Sequence, residues 1–429
     1  MCYERKLLKI SKQVNIEHLI EKGLSCISKR LRCNGDRDCN NFSDEENCLT
    51  IHSPCGSKKY KGIPNINRVG AGFDVTKLRE ESRVMNNEHY NGNCIITRSG
   101  KSGKHYRKPA NVQFYRYQFQ VGHSFTIKSY ESSMSYFQDE QNLFKKKMDA
   151  GSSFAHLSSL FSNSSGCNSR KTKMVIDFGT NSDSKFFKIS ATVQVARFRI
   201  IRQNLLLSYD FEYRLKQLPE EFDYAKYIQV ISDFGTHFYS SGVLGGEYEF
   251  LYRYSKKALL ESGLTDSEQK HCLEQEAKVS LFGIGSGVDK YGCSTNPLSK
   301  KHQGSFTRSA TNFVSDVDGG TSAKASALSF TSGKTPNKTD YDAWVKTVKD
   351  YPVVVNYMLT PISIAVPVSN YKKRANLERA LILYSKEYDN TKCTGKCAHG
   401  AAVVVVNKGK LCKCLCPANY GGIDCNVRA

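Results

Sequence analysis

Three stretches of the chain alternate apolar and polar residues with the period of a β-strand. Tyr115, Tyr117, Phe119 and Val121 alternate with Arg116, Gln118 and Gln120. Phe187, Ile189, Ala191, Val193 and Val195 alternate with Lys188, Ser190, Thr192 and Gln194, and Tyr248, Phe250, Tyr252 and Tyr254 stand opposite Glu247, Glu249 and Arg253. Such a pattern predicts strands with one dry and one wet face, as in an antiparallel sheet. Helical spacing occurs elsewhere: at Phe154, Leu157, Leu160 and Phe161, at Phe306, Ala310, Phe313, Val314 and Val317, and at Leu377, Ala380, Leu381, Tyr384 and Tyr388. Strands and helices are segregated along the chain, which predicts an α+β fold. The longest aliphatic run, AAVVVV at 401–406, is far shorter than the roughly 18 residues of a spanning helix. Any membrane insertion must therefore use another structure.

At 429 residues the chain has room for about three domains. No repeat or low-complexity tract breaks 55–390, which reads as one large domain. Sixty-two Lys plus Arg against 41 Asp plus Glu leave a formal charge of +21, a balance that favours anionic partners such as lipid headgroups, glycans or nucleic acid. Sixteen cysteines, crowded toward the two ends, imply an oxidising, extracellular compartment. Residues 1–25 contain no apolar core of a secretory signal, so the amino end is expected to be cleaved, truncated or wrongly started, and it stays unassigned.

Near the amino end, CISKRLRCNGDRDCNNFSDEENC places cysteines at 26, 33, 39 and 48 around a dense acidic cluster. Hard oxygen donors at this density suggest calcium, and so short a stretch needs disulfides and an ion in place of an apolar core; a solvated acidic loop is the alternative. The motif resembles an LDL-receptor class A repeat, assigned to 26–48. The resemblance implies side-chain calcium ligands at Asn34, Asp38, Asp44 and Glu45, backbone carbonyl ligands at Leu31 and Asp36, and a Cys33–Cys48 bond. That family has six cysteines, and only Cys2 precedes Cys26 here, so the repeat is partial and Cys26 and Cys39 lack their usual partners.

At the other end, cysteines 393, 397, 412, 414, 416 and 425 allow fifteen pairings. Zinc at Cys412, Cys414 and Cys416 is disfavoured, because alternate residues of a strand point to opposite faces. The spacing resembles an EGF-like module, placed at 391–426, and the resemblance implies bonds Cys393–Cys412, Cys397–Cys414 and Cys416–Cys425. In the large domain Cys55 with Cys94 and Cys272 with Cys293 form plausible local loops, leaving Cys167 over.

The stretch from Tyr227 to Phe238 fits the signature Y-x6-F-G-T-H-[FY] at Tyr227, Phe234, Gly235, Thr236, His237 and Phe238, and Gly245-Gly246 follows. Glycine suits a kink within a sheet, where a Cβ would obstruct. With Tyr106-Arg107-Lys108-Pro109, SGLT at 262–265, Cys293-Ser-Thr-Asn and Gly319-Gly320, these residues make the chain resemble the membrane attack complex/perforin family, and the order of its three modules is that of terminal complement components. The single tryptophan, Trp344, leaves no place for the thrombospondin-type modules usual there. The resemblance implies a bent antiparallel sheet, as in that family and the related cholesterol-dependent cytolysins, flanked by two helical clusters. Those clusters, near 132–186 and 296–338, would unfurl into amphipathic β-hairpins of a barrel, the one structure besides a helix that satisfies backbone donors in lipid. Ala323, Ala325 and Ala327 alternate with Ser322, Lys324 and Ser326 in keeping with this, whereas 151–173 alternates poorly.

His237 invites a catalytic role but reads better as structural within its motif, and no hydrolase, zinc-protease or dinucleotide motif occurs; no enzyme activity and no small-molecule substrate are expected. Between 165 and 202, Arg170, Lys171, Lys173, Lys185, Lys188, Arg197, Arg199 and Arg202 face only Asp177 and Asp183. This basic cluster could meet anionic lipid, an acidic neighbour or solvent; it lacks the stacking aromatics of a nucleic-acid site. Asn41, Asn163 and Asn337 head N-glycosylation sequons, and a glycan at Asn163 or Asn337 would oppose insertion. Two functions follow: a secreted pore-forming subunit that joins other complement components in a ring on a target membrane, or a secreted binding or adhesion protein that docks without perforating.

Overall fold

The computed structural model describes residues 29–39, 43–99, 103–121, 125–148, 170–282, 306–329, 337–386, 395–406 and 411–428. The strands are β1 (Lys61–Gly62), β2 (Ala71–Asp74), β3 (Arg79–Arg83), β4 (Ile96–Ser99), β5 (Lys104–Arg107), β6 (Val112–Val121), β7 (Thr126–Tyr130), β8 (Ser184–Ile200), β9 (His237–Ser255), β10 (Asn312–Asp318), β11 (Val353–Pro361), β12 (Ala402–Val406), β13 (Leu411–Leu415), β14 (Tyr420–Gly421) and β15 (Val427–Arg428). The helices are α1 (Ser133–Lys145), α2 (Arg170–Asp177), α3 (Tyr209–Gln217), α4 (Tyr224–Phe234), α5 (Lys256–Glu261), α6 (Asp266–Phe282), α7 (Ser322–Leu328), α8 (Lys338–Val348) and α9 (Tyr371–Lys386). Among the described residues no helix is long and apolar enough to cross a membrane.

Two long strands organise the molecule. β9, of 19 residues, pairs with the 17-residue β8 from Ser184 opposite Ser255 to Arg199 opposite Ser241. On the other side of β9, β11 lies along His237–Gly245 and β10 along Glu247–Arg253. On the other side of β8, β7 lies along Phe186–Ser190 and β6 along Val193–Ile200. With β2 and β3 these strands form an eight-stranded antiparallel sheet. Register slips at Tyr117/Gln120 in β6, Gln194/Ala196 in β8 and Val354/Tyr357 in β11 fall in one belt across it. Bulges bend and twist the strands that carry them, and the sheet bends along this belt.

The bend separates two cores. On one side Phe198, Ile200, Phe238 and Leu244 pack with α3, α4 and α9. On the other, Phe187, Ile189, Tyr248 and Phe250 pack with Leu259, Leu273, Leu328 and Trp344 of α5 to α8. The opposite face of that second half carries a smaller core, in which Phe186 and Leu251 meet Tyr136 of α1 and Met174 and Val175 of α2. The wet face expected of β8 is therefore covered: Lys185, Lys188 and Thr192 are buried, because helices lie on both sides of the strand.

The helical reading of 306–317 is also corrected. Only a short 3-10 turn, Thr307–Ser309, follows Phe306, and Phe313, Val314 and Val317 lie on β10. The four-residue step from Phe313 to Val317 is even, so it suits a strand as well as a helix. β-Branched valines and the open side of β9 decide for the strand, placing Phe313 and Val317 against one core and Val314 against the other. Conversely Ala323, Ala325 and Ala327, which alternate as in a strand, sit in helix α7, alanine being the best helix former; Ala325 and Leu328 turn to the core.

The ends are held by disulfides. Cys33 bonds Cys48 and Cys55 bonds Cys94, with Cα atoms 5.5 and 5.2 Å apart. The hairpins β12–β13 and β14–β15 carry the bonds Cys397–Cys414 and Cys416–Cys425. Cys272 and Cys412 are also disulfide-bonded; their expected partners Cys293 and Cys393 lie outside the described residues. The carboxyl-terminal hairpins rest on the turn after α2, where the Cys416 N–H donates to Gly179 O at 2.9 Å and Gly422 N–H to Thr180 O at 3.1 Å.

Candidate functional site

The signature residues stitch a helix end to the sheet. Asp223 caps α4 by accepting from the Ala225 N–H at 2.9 Å, and Gly235, at φ +79°, ends it where a Cβ would stand 2.6 Å from the Phe73 backbone. Tyr227 donates to Pro219 O at 2.7 Å. Thr236 Oγ1 accepts from the Val75 N–H at 3.1 Å and donates to Phe73 O at 3.2 Å, with His237 Nδ1 at 2.8 Å. His237 is fully buried, and burial pushes its pKa down to about 3, the Asp74 charge opposing only in part. A neutral imidazole with no exposed surface cannot reach a substrate, so its place is in the architecture.

The four remaining glycines meet at the bend, Gly246 and Gly320 of them against Trp344. A Cβ on Gly245 would stand 1.9 Å from Val193 O, and one on Gly246 2.7 Å from Trp344 Cζ2. Gly319 and Gly320 take φ +85° and +72°, and a Cβ on Gly320 would meet Trp344 Cδ1 at 2.8 Å. The fully buried Trp344 indole donates to Gly319 O at 2.8 Å. At Gly245 and Gly246 the need is close approach, and only at Gly319 and Gly320 is it backbone conformation.

Between the first helical cluster and the sheet lies a layer of ion pairs. Lys188 of β8 sits between Glu140 of α1 at 2.6 Å and Glu249 of β9 at 3.0 Å. Lys171 of α2 reaches Glu249, and Asp316 of β10 at 3.5 Å. Lys185 pairs with Glu131 at 2.9 Å and with Asp266 of α6 at 2.6 Å, while Lys128 and the Tyr130 hydroxyl both donate to Asp139 of α1, at 2.8 and 2.7 Å. Burial lowers the Lys188 pKa although Glu140 pulls it up. Lys185 is raised, its partners Asp266 and Glu131 outweighing burial. The basic cluster of 165–202 thus divides: Lys171, Lys185 and Lys188 are internal, whereas Arg197, Arg199 and Arg202 are exposed. No spacing rule could reveal this, since Lys188 and its partners are 48 and 61 positions apart.

In the acidic loop, Glu45 accepts from the Asn34 and Gly35 N–H groups at 2.9 and 3.0 Å, Asp44 Oδ2 from the Asp38 N–H at 2.8 Å, and Asp38 Oδ2 from Asn34 Nδ2 at 2.8 Å. The Asp36 carboxylate takes a bidentate pair from Arg107, one arm at 2.7 Å, which ties the loop to the large domain. Among the described residues no three His, Cys, Asp or Glu side chains gather as a metal site. One feature does fit a cation: Asp44 Oδ1 is buried with no hydrogen-bond partner, while its Oδ2 is held by the Asp38 N–H. Leu31 is buried at the edge of the loop.

Of the proposed hairpin residues, Phe306 is fully buried and stacks on Tyr254, ring centres 4.8 Å apart, and Ala310 packs near it. Phe154, Leu157, Leu160 and Phe161 lie outside the described residues, as do Asn41 and Asn163. Asn337 is exposed and caps α8, its Oδ1 accepting from the Asp340 N–H at 2.9 Å.

A bent antiparallel sheet, helical clusters on both faces of one half and glycines packed at the bend define the perforin-like class of protein. The chain belongs to the MAC/Perforin domain family, whose pattern matches residues 57–394; the low-density lipoprotein receptor domain class A matches 21–48. Among curated relatives it is 32% identical over 418 residues to Complement component C6 of Bos taurus, covering 94% of this chain and 44% of that protein. It is 28% identical over 439 residues to Complement component C8 beta chain of Mus musculus (94% and 69%) and 30% identical over 409 residues to Complement component C7 of Pongo abelii (93% and 46%). The chain thus spans less than half of the C6 and C7 relatives. Among solved structures GNIP1Aa from Chromobacterium piscinae aligns with a TM-score of 0.50 at 14% identity, over 77% of this chain and 57% of that one, a likeness of fold alone.

Proposed function

We propose that this chain is the perforating part of a secreted pore-forming subunit that joins complement components in a hetero-oligomeric ring on a target membrane. The observation that carries the reading is the connectivity of the sheet. β7 and β8 are antiparallel neighbours joined by the segment that holds α1 and α2, and β9 and β10 are antiparallel neighbours joined by the segment that holds α5 and α6. Unrolling either segment would extend an existing pair of strands in register. Each supplies more than the roughly 20 residues that two membrane-crossing strands need. Phe154, Leu157, Leu160 and Phe161 would lie on the first hairpin, and Phe306 and Ala310 on the second; of the residues expected there from 296–338, Phe313, Val314 and Val317 already belong to β10 and Ala323, Ala325 and Ala327 follow it on α7, outside the connecting segment.

The ion-pair layer suits this change. Charged groups hold the first cluster in place, yet they regain water when it leaves, where an apolar contact of the same area would resist. The carboxyl-terminal hairpins are read as an EGF-like module resting on the same cluster. Calcium would be held by Asp44, Asn34, Asp38 and Glu45, with carbonyls of Leu31 and Asp36, and would stiffen the amino-terminal module. Asp44→Asn should abolish the calcium-induced rise in melting temperature of the wild-type chain, and no rise in wild type would remove calcium from the account. The perforating reading is tested by dye release from vesicles: binding without release in any complement background would replace it with docking alone.

A further inference from the structure

The exposed half of the basic cluster borders a cavity that the perforating reading does not use. A groove of about 630 Å3 opens between the turn at Tyr90–Ile95, the start of β6 and the loop that follows β8. Lys108, Arg199 and Arg202 line it together with the amides Asn91, Gln203 and Asn204, and no carboxylate does. Lys108 is half-buried and its ammonium is held by Gln113 O at 2.9 Å, leaving two N–H donors. Among the described residues neither Arg199 nor Arg202 joins an ion pair, and both are exposed. The positive field extends along the sheet, where Arg197 on β8 stands directly opposite Arg116 on β6. Like charges at such a position destabilise a sheet, so the pair marks a surface arranged for a negative partner.

We propose that this groove binds a sulfated oligosaccharide, the sulfates on Lys108, Arg199 and Arg202 and the sugar hydroxyls on the amides. Cations without carboxylates select an anion, and a rim of neutral amides suits a hydroxyl-bearing one better than a bare headgroup. Position argues in the same direction. The helical clusters join the sheet at Ser184 and Ser255, whereas the groove lies beyond Ile200 at the far end of the 17-residue β8, roughly 50 Å away along a strand. A polysaccharide that stands away from a bilayer reaches that end when the other end meets lipid. The chemistry of the groove is independent of whether the sheet perforates.

The test is binding of the purified full chain to a heparin-derived hexasaccharide at physiological salt, by calorimetry or surface plasmon resonance. The Arg199→Gln/Arg202→Gln chain should bind about a hundredfold more weakly, the effect of two lost charge-assisted hydrogen bonds. Lys257→Gln/Lys346→Gln, which removes the same charge from two exposed lysines far along the chain, should change affinity less than about threefold. Equal weakening in both variants would mean diffuse charge and would overturn the proposal, as would no binding by the wild-type chain. Sodium sulfate competing as well, per sulfate, as the hexasaccharide would reduce the groove to an anion site. If the arginine pair matters for phosphatidylserine vesicles and not for the hexasaccharide, the ligand is a lipid and the proposal fails.

Discussion

Lys188 is the point where the ion-pair layer is most exposed to test. Its ammonium is buried, 8% exposed, between Glu140 and Glu249. Lys188→Ala leaves Glu140 without its cation, while Glu249 keeps Lys171. Breaking a buried pair from one side costs about 3–5 kcal/mol; Glu140 is 22% exposed and can recover some water, so the lower end, about 3 kcal/mol, is expected. The double replacement Lys188→Met/Glu140→Leu removes both charges and fills the space with apolar atoms, and by the same principle should be neutral or stabilising by about 1–4 kcal/mol. Urea unfolding with hydrogen exchange across 133–145 reads both. The single variant should open α1 and raise its exchange, and the double should lower it. If the perforating reading holds, the double variant should also slow vesicle leakage because the first cluster is held by contacts that water does not replace. A cost below about 1 kcal/mol for Lys188→Ala, or a double variant as unstable as the single, would refute the reasoning.

Further outcomes follow from the packing and the charges. His237, ordinarily near 6.5 and held at about 3 when folded, refuses a proton that the unfolded chain accepts. Its contribution is complete above about pH 6.5 and is lost as the pH falls toward 3, by about 5 kcal/mol; comparing the acid limb of denaturation with that of His237→Gln checks this, and parallel limbs would contradict it. Gly246→Ala drives a methyl into Trp344 and should cost about 1–3 kcal/mol; adding Trp344→Leu should make the double variant at least about 1 kcal/mol more stable than the summed costs. Arg107→Met removes the clamp on Asp36 and should speed proteolysis within 33–48 while exchange in β8 and β9 stays unchanged. Equal loss of protection throughout would show that Arg107 supports the whole domain instead.

The long strands are legible in the sequence because a period of two depends on neighbours along one element, and the stretch from Tyr227 to Phe238 is legible as a motif; the helix that carries it and the cap at Gly235 appear only in the structure. The burial of Lys188 could not, because it is decided by α1 and α2 settling on a face whose polar residues look destined for water. β10 carries a pattern that suits a helix equally well, because the step from Phe313 to Val317 satisfies both periods, and only the open side of β9 distinguishes them. The glycines at 245, 246, 319 and 320 stand out in the sequence, but what requires them does not: Gly246 and Gly320 lie against Trp344, about a hundred and about 25 residues away, and Gly245 against the Val193 carbonyl of the neighbouring strand. Asn337 heads a sequon in the sequence and in the structure caps α8.

The central claim is that the two connecting segments leave the sheet and cross a bilayer. Dye release from vesicles tests it most directly, with the purified chain added alone and then to serum depleted of one terminal complement component at a time. The account predicts leakage restored in one depleted serum and lost when the chain is omitted. Vesicles that bind the chain yet never leak in any serum would contradict it and leave a protein that docks without perforating.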